Sequence, residues 1–165
     1  MSKLKLYLFG APRIELDNSP VALARRKPVA LLAYLLMTRQ PQRRDTLATL
    51  FWPELGQSAA RAALRRDLHM LNSAIGSAWL NISRDEISRN VDDISHHGDT
   101  ALWIDVEQFQ QLADACTAHH PAGAALCPQC IEALTAAATL YQGDFLDGLT
   151  LADCPDFDQW RAFQA

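Results

Sequence analysis

Short alternating strands, three helices with apolar stripes and a closing hairpin, then further amphipathic helices, predict a mainly α chain with small β-sheets. The charge pattern divides that chain in two. Residues 1–90 carry 14 basic against 7 acidic residues, a net of +7, whereas 91–165 carry 1 against 12, a net of −11. All four cysteines (Cys116, Cys127, Cys130, Cys154) fall in the acidic part. A basic folded segment most often meets nucleic acid, because phosphate neutralisation supplies most of the affinity. An acidic one is repelled by the same polymer and must serve another purpose.

The elements follow in order. Leu4–Phe9 alternates and reads as a strand that Gly10–Pro12 breaks. Arg13–Leu16 is a second strand, Asp17–Pro20 a turn and Val21–Leu23 a third strand. Pro28 opens a helix where its missing N–H costs nothing. Val29–Met37 is apolar nearly all round, so this helix is central to the core. A second helix spans Arg44–Trp52, with Leu47, Leu50 and Phe51 inward. Ser58 is a good N-cap for a third helix over Ala59–Ile75, striped by Leu64, Leu68, Leu71 and Ile75 and ended by Gly76. Trp79–Ile82 and Glu86–Arg89 flank Ser83–Asp85 as a hairpin. Sheet, three helices and hairpin in that order predict a winged helix-turn-helix with an N-terminal antiparallel sheet over 1–90.

Residues 91–104 read as a connection. Helical hairpins occupy 105–165: Asp105–Ala118, with Phe109, Leu112, Ala113 and Cys116 on one face, and Pro128–Tyr141, with Ile131, Leu134, Ala138 and Tyr141 aligned. Gly143 is the stop, and another helix begins near Pro155. Such hairpins bury themselves by stacking on neighbours, usually about three or more. The stack is short here, so the chain reads as the front of a longer protein.

The longest apolar run, Val29–Met37, is far short of the ~20 residues that cross a bilayer. Lys3 and Lys5 precede only Leu6–Phe9 before Gly10, which is no secretory signal. A cytoplasmic protein without membrane association is expected. No phosphate-binding glycine loop, nucleophile with an adjacent base or clustered carboxylate pair stands out, so an enzyme is not expected.

On a helical wheel of the third helix, the face opposite the apolar stripe holds Ala59, Ala62, Arg66, His69, Met70 and Ser73, with Arg65 on its flank. Small Ala59, Ala62 and Ala63 let a backbone approach a groove floor, and Arg66 suits bidentate reading of guanine O6 and N7. His69 can donate to a base or a phosphate. Arg61 lies nearer the core on this wheel, as a phosphate contact or a pair with Glu54. Arg84 at the hairpin tip and Arg89 on its return strand suit a wing on the minor groove or phosphate. Arg43 and Arg44 suit backbone positioning, which orients without specifying. Arg25, Arg26 and Lys27 are weaker phosphate candidates, because a helix N-terminus disfavours cations.

Cys127 and Cys130 form a C-x-x-C that suits tetrahedral zinc, with Cys116 and His120 completing a C-x3-H-x6-C-x2-C set and His119 the alternative. The competing reading makes Cys116 an ordinary core residue.

LKLYLFGAPRIEL, RRKPVALLAYLL, LATLFWPE and RAALRRDLHMLNSAI resemble the OmpR-type DNA-binding domain of SARP-type bacterial regulators. WIDVEQFQQL, LTAAATLYQGDFLDGL and the later FDQW resemble the bacterial transcriptional activator domain, a tetratricopeptide-like module. The resemblance implies a transcriptional activator, bacterial and nucleoid-associated, that binds double-stranded DNA. It suggests the turn with Trp52 and Glu54 as a loop facing RNA polymerase, the alternative being a turn whose Trp52 packs inward. The helix faces left open by the short stack suit protein contact or homodimerisation. Two rivals remain at this level: a scaffold whose winged helix has lost DNA binding, and the regulatory head of a larger signalling ATPase.

Overall fold

The computed structural model describes residues 2–90, 102–119 and 125–164. Its elements are β1 (Leu4–Tyr7), β2 (Arg13–Leu16), β3 (Ser19–Pro20), α1 (Arg26–Thr38), β4 (Gln42–Arg43), α2 (Arg44–Phe51) and α3 (Gln57–Ile75). They continue with β5 (Leu80–Ile82), β6 (Glu86–Arg89), β7 (Leu102–Ile104), α4 (Asp105–His119), α5 (Pro128–Leu140) and α6 (Pro155–Gln164). One sheet has the order β3-β2-β1-β7 and the other β4-β6-β5. Three helices closed by the β5–β6 wing make the winged helix, and α4 and α5 make a helical hairpin. The mainly α class with an N-terminal sheet holds.

Local physics shifts several boundaries. Asp17 and Asn18 both take positive φ (52° and 64°), the geometry of a two-residue hairpin loop that matches strand twist. The third strand therefore starts at once, at Ser19–Pro20, not at Val21–Leu23. α3 begins at Gln57 with Gly56 as its N-cap, so Ser58 lies inside the helix. On α5 the buried residues are Cys130 and Ala137, while Ile131 and Tyr141 are exposed. The inward face is thus rotated from the expected Ile131–Leu134–Ala138–Tyr141 line, and small side chains meet α4.

A larger difference is β7. Residues 102–104 of the expected connection pair in parallel with β1, Leu4 opposite Leu102 and Leu6 opposite Ile104. Three residues give too little alternation to announce a strand, and a parallel partner far away in sequence supplies what local pattern lacks. Asp105 then secures the junction. Its buried carboxylate accepts from the backbone N–H groups of Leu8 (2.8 and 2.9 Å), Phe9 (3.0 Å) and Val106 (2.8 Å).

The segment after α5 also docks on the residues that follow β1. Leu146 N donates to Leu8 O, and Gly10 N donates to Asp144 O. Gly143 is needed here for close approach: a Cβ on it would stand 3.2 Å from Gly10 Cα, and its φ is +155°. α6 lays Phe157 against Phe51 (ring centroids 5.3 Å) and Trp160 against Tyr34 (4.8 Å). The basic and acidic segments therefore share one hydrophobic cluster, which includes Leu6, Leu31, Leu36, Phe51, Leu102, Ile104, Leu146 and Phe157.

Asp67, on the inner side of α3, is only 1% exposed. One oxygen accepts from Arg25 Nη2 at 2.6 Å, and the other has no hydrogen-bond partner. Burial pushes its carboxyl above the usual range, against the pull of Arg25. The native state then holds a proton that the unfolded chain has released. This contribution to stability therefore falls as pH rises from about 3.9 through the raised native value. Relative to Asp67→Asn, the wild-type chain is therefore expected to lose stability with rising pH across that window in urea titrations.

Candidate nucleic-acid interface

α3 exposes Ala59, Arg61, Ala62, Arg65, Arg66, His69 and Ser73, and buries Ala60, Ala63, Leu64, Asp67, Leu68, Leu71 and Ile75. Ala63 is therefore core rather than groove-facing. Two turns of α3, the start of α2 and the wing tip converge. Arg44, Asp45, Arg61, Leu64, Arg65, Arg84 and Asp85 line a cleft of about 300 Å³.

Within it, Arg44 donates from its backbone N to Asp85 O (2.9 Å) and from Nε to Ser83 O (2.9 Å), tying α2 to the wing. Ser83 Oγ and the backbone of Glu86 close the wing turn. Arg61 forms a two-point pair with Asp45 (2.5 and 2.7 Å), not with Glu54, and both side chains are half exposed. Asp45 is held below the usual carboxylate range by that hydrogen bond. Arg43, Arg65, Arg66 and Arg84 are exposed and form no ion pair among the described residues. This leaves four exposed guanidinium groups around α3 outside any ion pair among the described residues.

Other cations are spent elsewhere. Arg89, expected on the wing's DNA side, donates to Glu107 on α4 (2.6 and 3.3 Å), and its side chain is 13% exposed. Arg39 joins the same carboxylate. Lys27 bonds Asp153 (2.6 Å) and the Phe51 carbonyl (2.7 Å). Arg25 serves Asp67. The acidic segment thus neutralises Lys27, Arg39 and Arg89, and leaves the α3 face untouched. Trp52 takes the inward-packed alternative rather than the exposed one. It is 8% exposed, packed on Phe51 and covered by Lys27, while Glu54 and Leu55 stay exposed. Sequence alone does not separate an exposed Trp in a turn from one folded back on the core.

A second cluster lies where α4 meets α5. His119 Nδ1 is 3.6 Å from Cys127 Sγ and 3.5 Å from Cys130 Sγ. These three ligand atoms all lie within 4.8 Å of one another and could hold a metal ion. Cys116 is buried beside them, its Sγ 3.6 Å from the Cys130 carbonyl. Burial and the neighbouring Cys116 and Cys127 thiols push Cys130 up to about 12. The histidine in the cluster is His119, and His120 lies outside the described residues. Cys154 is remote from this group, buried and bonded to Phe51 O. No helix among the described residues is long and apolar enough to cross a membrane.

No family model and no curated protein matches the chain. Among solved structures, it is similar to Mycobacterium tuberculosis EmbR, determined in complex with a low-affinity phosphopeptide. The TM-score is 0.73, with 23% sequence identity over 99% of this chain and 42% of that one. The chain therefore spans less than half the length of that neighbour, and at this identity the likeness concerns the fold. It supports the fold alone: an N-terminal sheet, a winged helix and following helices.

Proposed function

We propose that the protein is a sequence-specific, double-stranded-DNA-binding transcriptional activator with no catalytic activity of its own. The observation that carries this reading is the set of unpaired arginines on α3, α2 and the wing tip. They stand on one face of a winged helix, whereas Arg25, Lys27, Arg39 and Arg89 are paired away from it. α3 enters the major groove, Arg66 reads a base edge and His69 supports it from the next turn. Arg65, Arg43, Arg44 and Arg84 track phosphate, with Arg84 at the wing, and Arg61 acts through its pair with Asp45. Arg89 has no part in contact, because Glu107 holds it. Glu54 and Leu55 offer the exposed part of the loop toward RNA polymerase, with Trp52 as its inner anchor. The acidic helices serve association with a protein partner or a second copy.

Binding is expected to weaken steeply with salt, with a log–log slope of about −3 to −4 for roughly four neutralised phosphates. Arg66→Ala should cost about 1–3 kcal/mol on the selected site and relax one base position, whereas Arg44→Ala weakens all duplexes alike. Sites selected from random duplex, followed by titration of both variants on specific and random DNA, make the test. Equal losses on both duplexes remove Arg66 as a base reader. A salt-independent or absent interaction removes DNA binding altogether.

A further inference from the structure

We infer that His119, Cys127 and Cys130, with Cys116 as the fourth ligand, form a structural zinc site that clamps α4 to α5. Zn–S bonds near 2.3 Å and Zn–N bonds near 2.0–2.1 Å, at a tetrahedral angle, place N and S about 3.6 Å apart. His119 Nδ1 stands 3.6 and 3.5 Å from the two sulfurs, so the ligand edges already have the length a zinc ion requires. The mutual 4.8 Å limit on the three atoms also accommodates the S···S edge of about 3.8 Å that the same bond lengths give.

Placement argues the same way. Cys127 is the N-cap of α5 and Cys130 lies in its first turn, so the C-x-x-C is held by a helix start. Cys116 and His119 are three apart near the end of α4, and such residues share a helix face. Both pairs therefore meet at one end of the hairpin in a C-x2-H-x7-C-x2-C order. Cys116 supplies the fourth sulfur because it is buried at the same end of the hairpin, its Sγ 3.6 Å from the Cys130 carbonyl. Each thiol loses its proton to solvent on ligation, and the imidazole coordinates in its neutral form.

The hairpin has a physical need for such a clamp. α5 fully buries only Cys130 and Ala137, while Leu126, Ile131 and Tyr141 are about half exposed. So little apolar burial gives the pair weak cohesion, and metal-binding energy becomes folding energy in such modules.

The test uses the whole chain, purified under reducing conditions without chelator or polyhistidine tag. About one zinc per chain is expected, as is a chelator-induced fall in melting temperature. Cobalt(II) added to the chelated, rebuffered protein should give the visible bands of a tetrahedral thiolate centre. His119→Ala and Cys127→Ser should abolish those bands, Cys116→Ser should shift them and weaken cobalt affinity tenfold or more, and Cys154→Ala should leave them intact. Metal-free protein that takes up no cobalt and melts identically with chelator overturns the site. A Cys127–Cys130 disulfide under the same conditions does so too. Unchanged bands in Cys116→Ser overturn Cys116 as the fourth ligand.

Discussion

Residues 1–90, expressed alone, are expected to be unfolded or aggregating rather than a working DNA-binding domain. The charge boundary near residue 90 invites that truncation, but the packing opposes it. Cutting there removes nine buried members of the shared cluster: Leu102, Ile104, Val106, Phe145, Leu146, Leu149, Leu151, Cys154 and Phe157. Burying a large apolar side chain contributes about 1.5–3 kcal/mol, and a domain of this kind has only about 5–15 kcal/mol to lose. Even a third of the lost burial is comparable with the whole stability. The cut also bares the β1 edge that β7 covers and the Phe51 ring that Phe157 covers. It leaves Arg89 without Glu107 as well. Circular dichroism and urea titration of the fragment against the whole chain make the measurement. A cooperative transition of near-native stability in the fragment would show that the acidic segment is an appendage rather than part of the core.

The contrast between charge and packing explains what could be read from the chain. Helices α1, α2 and α3 are legible because their apolar spacing is local and strong: Leu64, Leu68, Leu71 and Ile75 are all buried. The exposed set on α3 follows from the same periodicity, so Arg65, Arg66 and His69 stand at the surface as the wheel places them. What sequence cannot supply is the partner of a side chain. Arg84 and Arg89 look alike on the same hairpin, and only the approach of α4, bringing Glu107, separates the exposed one from the spent one. β7 is three residues long and exists through β1, more than ninety positions away. The choice of His119 in the metal cluster depends on where α4 ends against α5. Each of these is a long-range contact, whose sign no local pattern carries.

Asp105→Ala is expected to destabilise the whole chain by about 3 kcal/mol or more, equivalent to roughly 6–12 °C in melting temperature. The carboxylate collects donors from two elements: Leu8 and Phe9 at the end of β1, and Val106 at the start of α4. Removing it leaves three N–H groups without their acceptor in a region closed to water, and each such orphan costs about 1–3 kcal/mol. Part of this loss is returned, because burial already pushes the Asp105 carboxyl above its ordinary range and the deletion relieves that desolvation. The donors still dominate. An alanine methyl accepts nothing, and the junction they serve aligns β7 with β1 and begins α4. Asp105→Asn retains one acceptor oxygen but turns an NH₂ group toward the remaining N–H donors, so its loss should fall between wild type and alanine. Urea titration of both variants at neutral pH measures the order. A loss below about 1 kcal/mol for the alanine variant would mean that water enters and takes over the three donors. The β1–α4 junction would then be held by Leu6, Ile104 and Val106 packing rather than by this carboxylate.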